Sequence, residues 1–562
     1  MPVYLDKLNP AQQIAVTHQD SPLLIIAGPG TGKTHTLLNR IVYLIENQNV
    51  LPESILALTF TRRAAHEMLK RLENILEKKL LKTGIFIGTI HAFGLELLLT
   101  EFLQKKNISF SIYTENDSII ILKEIVKNKG LKNINIRNLQ KEISLMKNQI
   151  EETNKPDPLF MEIYNCYEEY LKKSHAMDFD DIIIKAVELL EDSSMLLKYK
   201  KRFSHILIDE FQDINHAQYK LIKSLALGEK NITAIGDPDQ AIYAFRGANV
   251  EIFLQFKKDF PTYREAYLET NYRSSGTILK ASCEVIEKSR LRIKKNIHTE
   301  LDKGVNIEIM NFTSEKQEAE MIAKRIEQMI GGASFFSHDS GWSNNERCEN
   351  KSFADFAILY RLQAEGNIFE EVFQRHGIPY QRVMTKSEKK SLQEKRAQYL
   401  LRIIQNSYDF AAEIELKDMG FQLTGQINLI SEAYKKLNYT EITKDLFPSL
   451  SSSLVDEVVN LLFKIDIYKD AEDIEEDTYE KMAEKVTLIT LHGAKGLEFP
   501  VVFIAGCEEG IIPYLKENEE NELEEERRLF YVGMTRAIPA CLYNLFISFK
   551  KKKKKIYFPL CR

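Results

Sequence analysis

The sequence predicts an α/β protein with two parallel-sheet domains, each interrupted by a mainly helical insertion. Short β-branched runs that each lead into a helical stretch occur in two sets, and such alternation is typical of parallel sheets. The first set comprises Leu23 to Ala27, Ile55 to Phe60, Ile85 to Ile90, His205 to Ile208 and Ile232 to Ile235. The second set comprises Ile307 to Phe312, Phe356 to Tyr360, Thr487 to Leu491, Val501 to Ala505 and Leu542 to Phe549.

Long stretches of another character separate strands within these sets. Residues 92–203 and 386–485 are rich in Lys, Glu, Leu and Ile at helical spacing, which predicts one helical insertion in each domain. Residues 331–352 are rich in Gly, Ser and Asn and contain the one tryptophan, Trp342, which indicates a solvated loop.

Length and composition are those of a soluble globular protein. The 562 residues allow about three to five domains. Hydrophobic residues make up 44% of the chain and charged residues 28%, which excludes disordered and collagen-like classes. The longest apolar runs are far shorter than the roughly 20 residues that a transmembrane helix needs, and the N-terminus has no signal-peptide pattern. We therefore expect a cytoplasmic protein with no membrane partner.

Charge is concentrated in local blocks. Lys and Arg number 76 against 81 Asp and Glu, so the formal charge is −5 and any contact with nucleic-acid phosphates has to be local. Nine glutamates face one lysine between Glu508 and Glu526, whereas Lys550 to Lys555 is an unbroken basic run. Both blocks are typical of solvated faces or tails, although the lysines could also touch a phosphate backbone.

The six cysteines are spread widely along the chain. The closest pair, Cys541 and Cys561, is 20 residues apart, so no zinc or redox spacing is present in the sequence. This spacing predicts reduced thiols.

A phosphate-binding loop follows the first predicted strand. Its residues are Ala27, Gly28, Pro29, Gly30, Thr31, Gly32, Lys33 and Thr34. The glycines allow backbone N–H groups to converge on phosphates, and the N-terminus of the next helix adds partial positive charge. We expect Lys33 to bridge the β and γ phosphates of ATP and the Thr34 hydroxyl to hold Mg²⁺. Ala27 stands where the general pattern has glycine.

Two adjacent carboxylates predict the other half of this nucleotide site. Asp209 and Glu210 follow the strand His205 to Ile208, at the carboxyl edge where parallel sheets bind ligands. We expect Asp209 to hold Mg²⁺ and Glu210 to position and deprotonate the attacking water. Hydrolysis also needs positive charge from across a cleft, for which Arg273 and Arg536 are the candidates.

These segments and others, in the same order, resemble the UvrD/Rep/PcrA group of superfamily 1 DNA helicases. The matching blocks run from Leu8 to about Phe549 and read LNPAQQIAV, AGPGTGKT, LTFTRRAAHEM, GTIHAF, MDFDD, ILIDEFQD, IGDPDQAIYAFRGA, LETNYRS, ILYR, TLHGAKGLEF and EEERRLFYVGMTRA. The resemblance implies two RecA-like cores of the P-loop NTPase type, 1A and 2A, with helical insertions 1B and 2B. The implied segments are 1–91 and 204–270 for 1A, 92–203 for 1B, 271–385 and 486–562 for 2A, and 386–485 for a shortened 2B.

The same resemblance implies roles for individual residues around ATP. Besides the loop, these are Gln12 at the adenine edge, Tyr272 stacked on adenine, Glu498 at the ribose, Gln240 at the γ phosphate, and Arg273 and Arg536 as paired arginine fingers. His35 stands where the family commonly has an arginine that sandwiches adenine, which predicts altered nucleotide affinity.

The resemblance also implies that single-stranded DNA lies across the top of both cores. A translocase has to grip any sequence, so aromatic platforms and phosphate contacts are expected, because stacking tolerates every base. The candidate platforms are Phe60, Tyr243 and Phe245, with Arg246 beside them, and by resemblance Thr89, His91 and His492 lie near the phosphates. Phe245 stands where the family commonly has tryptophan, which predicts weaker stacking.

The function implied is an ATP- and Mg²⁺-dependent DNA helicase that travels 3′ to 5′ on single-stranded DNA and opens junctions of single- and double-stranded DNA. Repair or replication proteins are the implied partners. Two alternatives remain open at this point: a translocase that displaces proteins but unwinds weakly, which the short 386–485 segment favours, and a nonhydrolysing DNA-binding scaffold. The intact Lys33, Asp209 and Glu210 argue against the scaffold.

Overall fold

The computed structural model describes residues 5–19, 21–76, 84–103, 110–148, 157–226, 228, 231–244, 247, 250–290, 292–330, 351–384, 395, 398–400, 402–403, 406–419, 483–515, 520–538 and 545–550. The predicted loop at 331–352 lies outside these residues except for its last two positions. Most of 386–485, Phe245, Arg246 and the lysine run beyond Lys550 also lie outside them.

The strands in these residues alternate with helices along most of the chain. The strands are β1 Leu23–Ala27, β2 Ile55–Thr59, β3 Phe86–Thr89, β4 Ser111–Tyr113, β5 Ala176–Asp178, β6 His205–Ile208, β7 Ile232–Gly236, β8 Arg264–Leu268, β9 Thr270–Asn271, β10 His298–Thr299, β11 Glu308–Phe312, β12 Phe356–Tyr360, β13 Tyr380–Arg382, β14 Val486–Thr490, β15 Val501–Ile504 and β16 Leu545–Lys550. The α-helices are α1 Pro10–Thr17, α2 Lys33–Glu46, α3 Arg62–Ile75, α4 Ile90–Leu98, α5 Glu115–Asn128, α6 Ile136–Asn148, α7 Pro158–Lys173, α8 Phe179–Glu191, α9 Ser193–Arg202, α10 His216–Ala226, α11 Glu251–Asp259, α12 Gly276–Ile286, α13 Glu315–Ile330, α14 Gly366–His376, α15 Phe410–Asp418 and α16 Glu520–Met534.

Two six-stranded parallel sheets form the centres of the molecule. The first has the order β3-β2-β6-β7-β1-β8 and the second the order β11-β16-β15-β12-β14-β13. Every strand pairing within both sheets is parallel. We call the layers around these sheets the first core and the second core. The fold class predicted from the sequence, with two RecA-like parallel-sheet domains, is confirmed.

Apolar side chains cover both faces of each sheet, which is why its central strands read as continuous hydrophobic runs. In β1, Leu24 and Ile26 pack into one buried cluster, whereas Leu23 and Ile25 pack into another on the opposite face. In β12 the same alternation divides the side chains between two further clusters. Because the strands of each sheet are parallel, their carboxyl ends meet at one edge of the sheet. The loops at this edge carry the predicted site residues.

Some strands differ from the sequence prediction. The strand expected from Ile85 to Ile90 ends at Thr89, because the Thr89 side chain accepts a hydrogen bond from the Ala92 N–H and caps α4. The edge strands β8 and β13 were not predicted. β8 reads REAYL, in which charged residues obscure the alternation, and β13 has three residues.

The stretch 92–203 contains α4 to α9 and, in addition, a short parallel ladder between β4 and β5. Its centre holds a buried cation. The Lys147 ammonium donates to Asp178 and Asp181, each at 2.8 Å, and its side chain is 1% exposed. The prediction of a helical insertion is correct except for this ladder. The six-segment division of the chain stays a prediction.

The described part of 386–485 packs against the stretch 92–203. The Arg402 guanidinium donates to Asp409 in its own segment and at 2.8 Å to Asp117 of α5. Asn406 donates to the Ser111 side chain and to the carbonyl of Ser174. These two predicted insertions are therefore in direct contact.

The prediction that the glutamate block is a solvated face is wrong for its last part. Glu526 is 4% exposed, pairs with Arg361 at 2.8 Å and accepts the Tyr514 N–H. Glu524 and Glu525 each accept a backbone N–H from another segment. A run of like charge in sequence conceals such partners, because they come from distant parts of the chain.

The predicted free thiols are found at Cys166, Cys283 and Cys507. The other three cysteines lie outside the described residues. Across the ranges given above, no helix combines the length and apolar character needed to cross a membrane.

Candidate nucleotide and DNA sites

The loop after β1 has the conformation of a phosphate cradle. Gly30 and Gly32 adopt positive φ angles of 62° and 82°, which favour glycine, and α2 begins at Lys33. The Thr31 hydroxyl donates to the Gly28 carbonyl at 2.9 Å and closes the turn. Lys33 Nζ lies 3.4 Å from the same carbonyl, at the mouth of the loop. The N-terminus of α2 therefore faces the space that the loop encloses.

The predicted carboxylate pair lies beside this loop. Asp209 follows β6 and accepts a hydrogen bond from the Thr34 hydroxyl at 3.0 Å. Glu210 has φ 50° and ψ 46°, a left-handed conformation that is strained for a residue with a Cβ atom. Gln212 holds the Glu210 carboxylate by donating to it at 2.5 Å.

The two carboxylates differ in pKa because their surroundings differ. Burial and the neighbouring Glu210 charge raise the pKa of Asp209 above its ordinary value. Burial also acts to raise the pKa of Glu210, but the charges of Lys33, Lys495 and Arg536 outweigh it, and the pKa is lowered. Glu210 is therefore ionised, as a group that deprotonates water has to be.

The predicted adenine side is built from the N-terminal segment and the start of the second core. Gln12 is buried in the first turn of α1, and its side-chain amide donates to the Thr31 carbonyl at 3.1 Å. Asn9 caps α1 and donates to the Tyr272 hydroxyl at 2.8 Å. Tyr272 is 49% exposed although its hydroxyl is held by Asn9.

His35 is exposed in the first turn of α2. Partial loss of solvent around its ring and the charge of Arg71 lower its pKa, so the ring is neutral at pH 7. It cannot supply the constant positive charge of the arginine that the family commonly has at this position.

Close approach of the chain after β8 explains one of the loop glycines. A Cβ atom on Gly30 would lie 2.4 Å from the Arg273 Cβ atom. The buried Asn271 fixes this approach by donating to the Pro29 carbonyl at 2.6 Å and accepting the Arg273 N–H at 2.9 Å. Arg273 thus lies directly over the phosphate loop, where its Nε pairs with Glu498 of the second core at 2.9 Å.

Arg536 enters the same cleft from the second core and is 1% exposed. Its guanidinium donates to the Val532 carbonyl at 2.9 Å and to the Gln240 side chain at 3.4 Å. Burial and the nearby Arg273 charge lower its pKa to about 9, so it remains a cation at pH 7. Both predicted arginine fingers therefore converge on the edge that carries Lys33 and Glu210.

Lys495 connects the two cores at a second point, which the sequence prediction missed although the residue lies in the matched block TLHGAKGLEF. Its ammonium pairs with Asp213 at 2.5 Å and donates to the Gln240 carbonyl at 2.8 Å. It also lies 5.1 Å from the centre of the Tyr243 ring, a cation–π geometry.

The predicted DNA residues that the structure describes lie near the carboxyl edges of the two sheets. Phe60 follows β2, Thr89 ends β3, His91 lies in the first turn of α4 and His492 follows β14. The Phe60 and Tyr243 rings stack on each other with centres 4.8 Å apart, so in this structure no base fits between them. His91 meets the Phe179 ring edge-on.

Comparison with known proteins identifies the family. The profile of the UvrD/REP helicase N-terminal domain matches residues 8–261, and that of the UvrD-like helicase C-terminal domain matches 266–466 and 426–552. The chain belongs to the UvrD/Rep helicase family. This UvrD/Rep-family chain is 32% identical to the ATP-dependent DNA helicase PcrA of Bacillus subtilis, over 95% of its own length and 82% of that protein. It is 31% identical to the ATP-dependent DNA helicase Rep of Buchnera aphidicola, over 99% and 95% of the two chains.

Other residues of the UvrD/Rep-family site also escaped the sequence prediction. Three of them lie inside matched blocks, namely Asn271, Asp213 and Gln212. A single polar residue in a sequence does not by itself indicate a role in a site. Their roles depend on partners that are distant in sequence, which a linear pattern does not show.

Proposed function

We propose that this helicase hydrolyses ATP in the cleft between its two cores and converts hydrolysis into 3′ to 5′ movement along single-stranded DNA, opening the duplex at junctions. The observation that carries the proposal is the convergence of Lys33, Glu210, Arg273 and Arg536 on one cleft, with two of these groups supplied by each side. The relatives named ATP-dependent DNA helicase support the same activity.

Binding of ATP would use the loop and its surroundings. The phosphates would lie on the N-terminus of α2 with Lys33 beside them, and adenine would stack on Tyr272 next to Gln12. Glu498 now pairs with Arg273, so a ribose at Glu498 would release that arginine toward the γ phosphate. Ligand binding would thus bring the finger into place.

The side chains at the loop fit a magnesium ion. The Thr34 hydroxyl and an Asp209 carboxylate oxygen lie 3.0 Å apart, and both are hard oxygen donors of the kind that Mg²⁺ prefers. Mg²⁺ bound by these two groups would neutralise phosphate charge.

Glu210, held by Gln212, would orient the attacking water and accept its proton. Arg273 and Arg536 would stabilise the charge of the departing phosphoryl group.

Coupling to DNA would run through the loop between β7 and α11. Gln240 faces Arg536, and its backbone carbonyl accepts from Lys495, which also lies over Tyr243. A shift of Gln240 on binding or loss of the γ phosphate would therefore be passed through Lys495 to the Tyr243 ring, which lies on the expected DNA path. The Phe60 and Tyr243 rings would have to separate before either could receive a base.

The test combines hydrolysis with strand polarity. The full chain should hydrolyse ATP faster with single-stranded DNA than without it, and Lys33→Ala and Glu210→Gln should each abolish this activity. Glu210→Gln keeps the size of the side chain, so its nucleotide affinity should stay near that of the wild type. If both variants hydrolyse ATP at the wild-type rate, the proposal is wrong.

Duplexes with single 3′ or 5′ tails decide the direction. The proposal expects ATP-dependent separation with 3′ tails and little with 5′ tails. ATP hydrolysis without separation of either duplex would instead favour a translocase that displaces proteins. Partners among repair or replication proteins are part of the proposal, and binding of such a protein that raises unwinding of the 3′-tailed duplex would support it.

A further inference from the structure

A buried lysine, which lies between the matching sequence blocks LETNYRS and ILYR, packs behind the nucleotide site. After α12 the chain turns back to the first core, where β10 pairs in parallel with β9. The Ile297 side chain lies against the start of the phosphate loop, because a Cβ atom on Gly28 would lie 2.4 Å from its Cδ1 atom. Lys295 precedes this contact, and its side chain is 1% exposed.

The Lys295 ammonium bridges two loops of the nucleotide site. It donates to Asp237 Oδ1, to Asp239 Oδ2 at 3.0 Å and, more weakly, to the Ala27 carbonyl at 3.4 Å. Both aspartates are fully buried. Burial alone would lower the pKa of Lys295, but the two carboxylates outweigh this effect and raise it, so the group is a cation.

The carboxylate that Lys295 holds also holds Gln240. Asp237 Oδ2 accepts from the Gln240 side-chain N–H at 2.6 Å, which leaves the Gln240 amide oxygen facing Arg536. The Asp237 backbone N–H donates to Gln212 at 2.9 Å, and Gln212 in turn holds Glu210. One aspartate therefore connects the expected γ-phosphate sensor with the expected catalytic base.

We infer that Lys295 is a positioning residue for ATP hydrolysis, which fixes the Asp237 carboxylate so that Gln240 keeps its amide directed at Arg536. This inference rests on the proposed function. Two arginines nearby act on the other aspartate: Arg292 pairs with Asp239 at 3.4 Å, and Arg528 lies close enough for its charge to interact with Asp239. Without Lys295, the Asp237 charge would be buried with no ammonium beside it, and the Gln240 amide would lose its fixed acceptor.

The direct test is Lys295→Met in the full chain, with ATP hydrolysis measured on a saturating thymidine oligonucleotide. We expect kcat to fall about 10- to 100-fold because the sensor is misplaced. KM for ATP and the Kd of a fluorescent ATP analogue should change by roughly threefold or less, because Lys295 lies behind the loop. Lys294→Met is the matched control, since Lys294 is exposed, and it should behave as the wild type does.

A double-mutant cycle separates positioning from a merely structural role. If Lys295 acts through Gln240, Lys295→Met should lower kcat little further in a Gln240→Ala background. If the double variant loses kcat by the product of the two single-variant factors, the inference is overturned. A Lys295→Met protein with wild-type kcat would also overturn it. If Lys295→Met fails to fold by circular dichroism, the cycle is run with Lys295→Gln, which keeps a neutral donor, and the same outcomes apply. A wild-type chain without ATP hydrolysis would overturn the proposed function first and this inference with it.

Discussion

The guanidinium of Arg536 lies 3.4 Å from the side-chain oxygen of Gln240, although 296 residues separate them in sequence. This contact spans the cleft between the two cores at the end where the γ phosphate is expected. The Lys495–Asp213 ion pair crosses the same cleft. Each side therefore presents its polar groups to the other, and a nucleotide between them would contact both.

Arg536→Ala should abolish hydrolysis while leaving nucleotide binding largely intact. An arginine that neutralises transition-state charge is worth about 10³-fold or more in kcat. Measurement of kcat together with the Kd of a fluorescent ATP analogue checks this expectation. Arg375→Ala removes a partly exposed arginine from the second core and serves as the control. Equal kcat values for the two variants would exclude Arg536 from the reaction.

Tyr272 should contribute affinity through its ring and little through its hydroxyl. Stacking of a base on an aromatic side chain is worth about 1–3 kcal/mol, so Tyr272→Ala should raise KM for ATP by roughly 10-fold or more with a small change in kcat. Tyr272→Phe loses the hydrogen bond from Asn9 but keeps the ring, and its KM should stay within about twofold of the wild type. A similar KM for both variants would place adenine elsewhere.

Lys495→Met should weaken the coupling of hydrolysis to DNA. The substitution keeps an apolar stem against Tyr243 but leaves the buried Asp213 carboxylate without its cation. We expect the stimulation of kcat by single-stranded DNA to fall about 10-fold or more. A titration with oligonucleotide measures both the maximal stimulation and the DNA concentration for half of it. If neither the maximal stimulation nor the half-maximal DNA concentration changes, Lys495 does not couple hydrolysis to DNA binding.

The fold and the phosphate side of the site could be predicted because their signals are local. The strand Leu23 to Ala27 and the loop after it are contiguous, and Asp209 and Glu210 directly follow another strand. Asn271, Lys295 and Lys495 could not be found in this way, because each is a single polar residue whose partners are distant in sequence. The glutamates near Arg361 were misread for the same reason, since their partners are visible in three dimensions alone.

Lys147→Met should destabilise the stretch 92–203 strongly. Loss of this buried ammonium leaves Asp178 and Asp181 without their cation, and breaking a buried pair costs about 3–5 kcal/mol. Lys127→Met removes a lysine with a 78% exposed side chain from neighbouring α5 and should change stability by about 0.5 kcal/mol or less. Denaturant unfolding of both variants gives the comparison. Equal midpoints would mean that the Lys147 cluster contributes no stability.

His376 should make the second core more stable at lower pH. It joins Glu320 at 2.7 Å and Glu327 at 3.0 Å. Burial opposes protonation, but these carboxylates outweigh it and raise the pKa of His376 above 6.5. The stabilisation is therefore complete below the unfolded pKa and is lost as pH rises through the folded pKa. The difference in unfolding free energy between wild type and His376→Asn should be larger at about pH 5.5 than at about pH 8.5. The opposite order would contradict the assignment.

Translocation itself can be measured as the time at which the protein reaches a fluorophore at the 5′ end of single-stranded DNA of increasing length. If closure of the cleft on ATP drives the strand, the delay before the signal should grow in proportion to DNA length for the wild type. The arrival signal should be absent with Arg536→Ala, a variant that we expect to bind ATP and DNA. Rapid ATP hydrolysis with a delay that does not depend on length would contradict motion powered at this cleft.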